Sequence, residues 1–403
     1  MRTAIIGAGI TGLTAGYRLS KKNHQVTLFE KEKFSGGLAA GFKKKNWDWY
    51  LELFFHHLFT SDQQAKDLLK ELGLEKELFY LRPKTSIFKK GKIFQFDSPV
   101  SVLKFPLIAP SERLRTGLIT LFLKVSPYWQ NFEKIKACDW LKKYYGQKTY
   151  QVLWQPLLKS KFGHQAKEVS MAWFWARIKK RSIRLGYLEG GFQILIDKLE
   201  EEIKNRGGEI NLNQEIKSLD GIKNFDKIII TAPTQKFFPK TKVPKMLGAI
   251  NLILVLDEQF LSDNTYWLNI NEESFPFVAV VEQTNLIDKK HYGNNHLVYV
   301  GGYYPQNHRY FKMNKEKLLD EWLPYLQKIN PNFNQSSVIS FQLLANLSAQ
   351  PVIPTNYSQI IPPHQTSIKN VYLANMQQIC PWDRGVNYAI GLGNKIASLV
   401  DKS

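Results

Sequence analysis

The sequence predicts an α/β fold: a Rossmann-like nucleotide-binding domain that opens the chain, with a discontinuous α+β second domain built between its parts. Three observations carry this. A glycine-rich turn lies between an apolar strand and a helix at residues 3–20, an acid ends the next strand, and a strand-then-helix pattern returns near residues 370–400. Thr3-Ala4-Ile5-Ile6 reads as a short buried strand, Gly7-Ala8-Gly9-Ile10-Thr11-Gly12 as the turn, and Leu13–Ser20 as the helix. Val26-Thr27-Leu28-Phe29 is the second strand and ends on Glu30. This is the order of a dinucleotide-binding βαβ unit. Gly7 makes the tight turn, Gly9 admits a pyrophosphate close to the backbone, and Gly12 lets the helix pack close on the strand. The helix N-terminus offers free N–H groups and partial positive charge to phosphates. Glu30 is placed to accept hydrogen bonds from ribose hydroxyls. The glycine hexamer alone also fits an ordinary turn; the flanking strand, helix and acid, in this order, decide for the nucleotide reading.

Beyond Glu30 comes Lys31-Glu32-Lys33-Phe34-Ser35-Gly36-Gly37-Leu38. A glycine doublet here is not part of the minimal nicotinamide fingerprint. The segment resembles the second motif of the FAD-dependent amine oxidase, protoporphyrinogen oxidase and phytoene desaturase superfamily. The resemblance implies FAD as cofactor, with Gly36 and Gly37 letting the chain pass its phosphates and ribityl chain, and Lys31 and Leu38 beside them. The far end agrees: Asn370–Asn375 reads as a strand, and Pro381–Ile390 leads into a helix that runs to about Val400. The resemblance places that helix's N-terminus at the flavin pyrimidine, with Asp383, Gly385, Val386 and Asn387 as cofactor candidates and Arg384 beside the substrate. A simple helix cap by Asp383 or Asn387 also fits. Where the superfamily has a Gly-Asp pair, this chain has Ala374-Asn375, so Asn375 is carried over as an amide in place of a carboxylate. The middle of the chain resembles the superfamily too. Gly190-Gly191 precedes a helix with Phe192, Leu195, Ile196, Leu199 and Ile203 at helical spacing, stopped by Arg206-Gly207-Gly208. Strands follow near Glu209–Leu212 and Lys227–Ile230, and the resemblance sets Ile216 against the adenine.

The 403 residues suffice for two domains. The expected FAD-binding domain comprises residues 1–60, 185–240 and 340–403, and the substrate domain 61–184 and 241–339. The first substrate segment reads as mostly helical, with helices near Gln63–Leu72, Ser111–Leu123, Ala137–Tyr145 and Met171–Arg181. The second offers strands at Ala249–Leu256, Tyr266–Ile270, Phe277–Val281 and Leu297–Val300, then a helix at Lys315–Ile329.

Two cysteines far apart exclude a disulfide framework and a cysteine-based zinc site. The eight histidines show no ligand spacing, so no metal is expected. No apolar run reaches the length of a membrane span and no signal peptide is read, so the expected location is cytoplasmic, with the inner face of a membrane as an extension. The formal net charge of +20 fits three readings: a lysine-rich solvated surface, attraction to an anionic membrane surface, or an anionic small substrate. No nucleic-acid reader motif is present, so no nucleic-acid partner is expected. Oligomeric state is not legible. Within the stretch Pro99–Trp129, the apolar run Leu118–Leu123 is flanked by Arg113, Arg115 and Lys124 and followed by Tyr128 and Trp129. It reads either as a core helix with a basic surface or as a monotopic membrane contact or greasy substrate mouth.

The catalytic candidates are His56 and His57, next to the first cofactor segment, as acid or base near neutral pH or as a satisfied pair at a domain junction. Trp173, Arg177, Arg184 and Tyr299, with Arg384, are the substrate-side candidates, although such aromatic clusters are commonly core. The leading expectation is an FAD-dependent oxidoreductase taking hydride equivalents from a C–H bond of a hydrophobic, isoprenoid or ring-containing substrate. The alternative is a non-redox flavoenzyme resembling UDP-galactopyranose mutase, suggested by Phe55-His56-His57-Leu58-Phe59-Thr60-Ser61-Asp62 and by the positive charge. A third is a flavin-binding protein without turnover.

Overall fold

The computed structural model describes residues 1–403. Its first sheet has five parallel strands in the order Glu209–Asn211, Gln25–Phe29, Arg2–Ile6, Lys227–Ile230 and Val371–Leu373. Both faces are covered, which explains why these strands read as apolar runs without clean alternation. Ile5, Leu28, Ile229 and Tyr372 point to one face, against Leu13, Leu199, Ile203, Ile390 and Ile396 of three helices. Ala4, Ile6, Phe29, Ile228, Ile230, Val371 and Leu373 point to the other, under the irregular segment that carries Ile216, Leu219 and Ile222. The helices are Ile10–Ser20, Gln193–Asn205 and Val386–Asp401.

The second sheet is mixed and seven-stranded: Val338–Pro351, Met246–Leu256, His296–Pro305, Ala279–Glu282, Thr265–Ile270, Lys84–Lys89 and Lys92–Gln95. It joins the layers because its two faces serve different cores. Leu252 and Leu254 pack with Leu318, Leu319, Trp322 and Leu326 of helix Lys315–Ile329, while Ile253 and Val255 belong to the core of the parallel sheet. A helical layer from residues 99 to 180 forms a third core around Trp173, Phe174 and Trp175.

Most elements lie within a few residues of the sequence expectation, and helix Lys315–Ile329 matches it end to end. Two differences concern the second domain. The segment 61–184 also contains strands Leu78–Leu81, Lys84–Lys89 and Lys92–Gln95. Leu78 pairs with Leu188, and Thr85 with Trp267, partners more than a hundred residues away, while Lys92–Gln95 pairs back on Lys84–Lys89 as a hairpin. Residues 340–351 lie in the mixed sheet, paired along Met246–Leu256, and the return to the parallel sheet begins only at Val371.

Buried Glu52 ties strand Leu185–Leu188 and the start of helix Gln193–Asn205 to the mixed sheet. Its carboxylate accepts hydrogen bonds from the Phe192 N–H at 2.8 Å and the Tyr187 hydroxyl at 2.7 Å, and its backbone carbonyl accepts from Tyr299 at 2.7 Å. Burial raises its carboxyl to about 7, against the opposing pull of these donors.

The first and last helices cross in close contact. A Cβ on Gly393 would lie 2.6 Å from Thr14 Cβ and 2.7 Å from the Thr11 carbonyl oxygen. Overpacking of this kind costs roughly 1–3 kcal/mol. Gly393→Val is therefore expected to lower the free energy of urea unfolding by that amount, with an earlier midpoint, while leaving far-UV circular dichroism native; an unchanged midpoint would contradict the packing.

Candidate functional site: a nucleotide cleft that opens into a cationic cavity

The parallel register brings the C-terminal ends of four strands to one edge of the sheet, where ligands of open α/β sheets bind. A cleft of about 1370 Å³ runs along that edge. Its wall includes Gly7, Gly9, Glu30, Lys31, Gly36, Gly37, Leu38, Ile216, Asn375, Gly385 and Val386, so eleven of the fourteen cofactor candidates meet there. The two glycine motifs touch: Gly36 donates its N–H to the Ala8 carbonyl at 2.8 Å, and Gly9 and Gly36 form a parallel bridge. Gly36 has φ +104°, and a Cβ there would lie 2.5 Å from Ile196, so glycine is required on both counts.

Gly9 and Gly12 do different work. A Cβ on Gly12 would sit 2.0 Å from the Gly7 carbonyl oxygen, which makes Gly12 a packing residue behind the cleft. A Cβ on Gly9 meets no atom within 4 Å and projects into open space. Helix Ile10–Ser20 begins there without a side-chain cap, and Gly9, Ile10 and Thr11 line the cleft. Uncapped N–H groups beside a glycine with space in front of it fit a phosphate. Helix Val386–Asp401 likewise starts without a side-chain cap, at Gly385 and Val386 on the cleft wall. FAD fits this arrangement. Gly9 and the first helix would hold its pyrophosphate, Glu30 its ribose, and the second N-terminus would face the pyrimidine edge, where it favours negative charge.

Besides Gly12, Asp383 and Asn387 lie off this wall, and Asn375 and Glu30 line it but are already engaged. Asp383 faces a second cavity and pairs with Lys161 Nζ at 2.6 Å. Burial would raise its carboxyl, but Lys161 and Arg384 hold it well below the usual carboxylate range. Asn387 lines the same second cavity, and its Oδ1 accepts from the Ala65 N–H at 3.1 Å, so it satisfies the first turn of helix Gln63–Glu71 and does not cap its own helix. Asn375 does line the cleft, but its amide is committed to Ala232, Thr234 and Gln377 of the adjoining turn. Glu30 accepts from the Ala8 N–H at 2.8 Å and the Glu32 N–H at 3.0 Å, which anchors the glycine turn to the second strand.

The second cavity, of about 260 Å³, shares Leu38, Phe54, His56, Arg384, Gly385 and Val386 with the cleft. His56 lies in this shared wall and His57 in the second cavity alone. Burial lowers His56 to about 4 and His57 to about 3, the latter helped by the charges of Arg181, His56 and Arg177. Both imidazoles are neutral at pH 7, so the expected proton exchange near neutral pH gives way to a role as hydrogen-bonding groups.

Of the substrate-side candidates, Arg177 and Arg384 line the cavity. Trp173 is wholly buried in the helical core, and Tyr299 is buried with its hydroxyl on the Glu52 carbonyl. Arg184 is exposed and lines neither space. Tyr303, on the same strand as Tyr299, does reach the cavity, as do Tyr266 and Tyr388. The Tyr303 hydroxyl accepts from Arg384, whose guanidinium also donates to Gln350 Oε1 at 3.1 Å. Burial pushes the phenol up, and Arg384 and Lys161 outweigh it, for a net lowering. Lys161, 9% exposed, was not legible: nothing in a sequence with 55 lysines and arginines marks one on a short helix as facing Asp383.

The sequence model of the family described as "Flavin containing amine oxidoreductase" matches residues 10–397. The 15-cis-phytoene desaturase of Glycine max is 25% identical over 245 residues, which is 55% of this chain and 42% of that protein. The coproporphyrinogen III oxidase of Staphylococcus aureus is 24% identical over 326 residues, 65% of this chain and 69% of that one. The chain spans about half the length of the desaturases it matches. Among solved structures, reduced UDP-galactopyranose mutase superposes with a TM-score of 0.72 over 99% of this chain and 94% of that one, at 13% identity. That likeness is of fold alone.

Two tests address the site. Gly9→Val has a φ of −73° open to any residue and no protein atom to clash with, so the apoprotein should unfold as the wild type does. Its FAD affinity should fall by roughly 100-fold or more, since the new side chain fills phosphate space, about 3 kcal/mol. Flavin absorbance after gel filtration reads the loss. The second test concerns His57. Unfolded, it takes up a proton below its ordinary value of 6.5; folded, it does so only near 3. The unfolded state binds more protons in that window, so folding stability contributed by the neutral imidazole is lost as pH falls through it. Relative to His57→Phe, the wild type should lose stability in urea unfolding at pH 4.5 compared with pH 7; a constant difference would refute the buried neutral histidine.

Proposed function

The chain belongs to the flavin-containing amine oxidoreductase family, a redox family whose cofactor is FAD, and from that premise we propose that it oxidises a small substrate seated in the second cavity. The observation that carries this reading is the shared wall. The cleft that fits FAD opens into a separate cavity through His56, Arg384, Gly385 and Val386, at the uncapped end of the last helix. When bound, FAD supplies acceptance of a hydride from a substrate C–H bond. The chain's residues do the rest. The helix N-terminus at Gly385 and Val386 stabilises the charge that arrives with the hydride. His56, neutral, is available as a hydrogen-bond partner in the shared wall. Tyr303, with its phenolate favoured by Arg384 and Lys161, takes the proton that leaves the substrate heteroatom as the C–H bond breaks. Phe54, Phe55 and Trp267 keep that end of the cavity apolar and exclude water.

Non-redox chemistry on a nucleotide sugar is the second reading, favoured by the cations of the same cavity. Its volume of about 260 Å³ lies at or below the lower bound for drug-sized ligands and weighs against so large a substrate.

Release of FAD on denaturation, followed by anaerobic screening of C–H donors for bleaching of the flavin bands, tests the proposal. Bleaching by a donor supports it. FAD that no donor reduces, in a protein that binds UDP and turns over only after dithionite, overturns it for the second reading. With a donor in hand, Tyr303→Phe is expected to cut the reduction rate roughly 100-fold and to remove the rise of rate with pH; an unchanged profile would exclude Tyr303 as the proton acceptor.

A further inference from the structure

Resting on the reading of the second cavity as the substrate site, we propose that the end of helix Met171–Lys180 and the turn after it form an anion-binding subsite, and that the substrate carries a carboxylate or phosphate at its end away from the shared wall. Five cationic residues line the cavity, Lys161, Arg177, Lys180, Arg181 and Arg384, against three carboxylates. Only Asp383 is paired with one of these cations; Asp62 and Asp97 act on Lys180 and Arg181 from beyond ion-pair distance. Asp383 holds Lys161, Asp97 accepts from the Thr85 N–H and from Gln95, and Asp62 accepts from the Phe59 N–H at 2.8 Å. Arg177, Lys180 and Arg181 have no carboxylate within 4.0 Å. Arg177 and Arg181 stand four residues apart, where like charges on successive turns repel. Their field reaches the interior, since both charges help hold His57 neutral after the larger effect of burial.

Guanidinium groups without acceptors in a cavity wall are matched by the paired oxygens of a carboxylate or phosphate. Arg177, Lys180 and Arg181 line the second cavity and not the cofactor cleft, whereas Arg384 lines both. The sheet side of the cavity sets Trp267, Val278 and Ala279 beside Asn251, Asn269 and Tyr303, and the wall shared with the cleft offers Leu38, Phe54 and Val386, with Arg384 there bonded to Tyr303 and Gln350. An amphipathic substrate would therefore be oriented with its anionic end on the helix and its apolar end toward the cofactor. This narrows the hydrophobic substrate expected from the sequence.

Calorimetric titration of the holoprotein with octanoate, octyl phosphate and octanol tests the subsite. At least one anion should bind roughly 10- to 100-fold more tightly than octanol, and the stronger of the two names the group. Arg177→Gln/Arg181→Gln should erase the difference without loss of FAD, and Arg181→Gln alone, at an exposed side chain, serves where the double variant fails to fold. Equal binding of octanol, or anion binding untouched by the variants, overturns the subsite. Since heat reports binding without flavin, anion binding by a protein that holds no FAD would defeat the functional reading and leave the subsite standing.

A separate observation concerns the surface. Helix Pro110–Val125 lies in the stretch that reads as a core helix or as a membrane contact or substrate mouth, and its apolar face is bare: Leu114, Leu118 and Leu121 are each 59% exposed, Phe122 49% and Val125 64%. At about 100° per residue these five fall within an arc of roughly 100°. Arg115 and Lys124 border the arc, Glu112 lies on the opposite side, and Val100, Leu103 and Tyr128 extend the exposed apolar set in neighbouring segments. An apolar stripe with basic edges on a protein of charge +20 has the character of an interfacial membrane helix, and we infer that this face docks on an anionic lipid bilayer. A second copy of the chain is disfavoured as occupant because it brings the same basic edges and net charge. No helix is long and apolar enough to cross a membrane.

Sedimentation with vesicles of phosphatidylcholine, with and without phosphatidylglycerol, tests this. The protein should pellet with the anionic vesicles, and Leu118→Glu/Leu121→Glu should reduce binding at least about 10-fold at unchanged FAD content; these positions are exposed, and Leu118→Ser/Leu121→Ser is the milder second pair. Absence from anionic vesicles, binding that the substitutions leave intact, or a dimer in sedimentation velocity that they abolish would each overturn it.

Discussion

The close approach of the first helix to the glycine turn is the constraint on which the site depends. With no side chain at Gly12, the helix rides against the Gly7 carbonyl at a distance no Cβ permits. That contact fixes where the helix N-terminus points. Its uncapped N–H groups then face the open space in front of Gly9. The Gly36 segment closes on the same turn through Ala8, and Glu30 holds Ala8 from the second strand. A shift of the helix by the width of a methyl group would disturb all of these contacts together.

Charge is divided between structure and function by whether it is paired. Glu30, Asp62, Asp97 and Asp383 all stand at the cavities, and each is engaged by backbone N–H groups or by Lys161. The guanidiniums of Arg177 and Arg181 have no such partner. Within the second cavity only the Lys161–Asp383 pair cancels its charge, and the remaining cations outnumber the two carboxylates that stay hydrogen-bonded to backbone. The same burial that silences the histidines brings Arg384 and Lys161 close enough to Tyr303 to favour its phenolate.

Local pattern read most of the nucleotide cleft. The glycines, Glu30 and the Gly36-Gly37 doublet act through backbone and spacing, so their roles follow from residue type and order. Residues whose role is a long-range contact were misplaced. Tyr299 and Tyr303 lie on one strand and are alike in sequence, yet one is buried over Glu52 and the other faces the cavity. Asp383 and Asn387 sit where a helix cap is expected and are drawn instead to Lys161 and Ala65. Helix Pro110–Val125 shows the same limit, since its apolar stripe reads equally as core or as surface until its neighbours are placed.

By itself the sequence determined the parallel βαβ unit, the turn chemistry that fits a dinucleotide, and the return of the chain to that sheet at both later segments. These are set by hydrophobic period and by glycine, which act over a few residues. Only the tertiary structure decided that strands from 84 to 95 join a sheet begun near residue 246, that Lys161 neutralises Asp383, and that Arg177 and Arg181 are left unpaired beside the cofactor cleft. Pairing and burial depend on which distant segments meet, and the folded chain alone specifies those meetings.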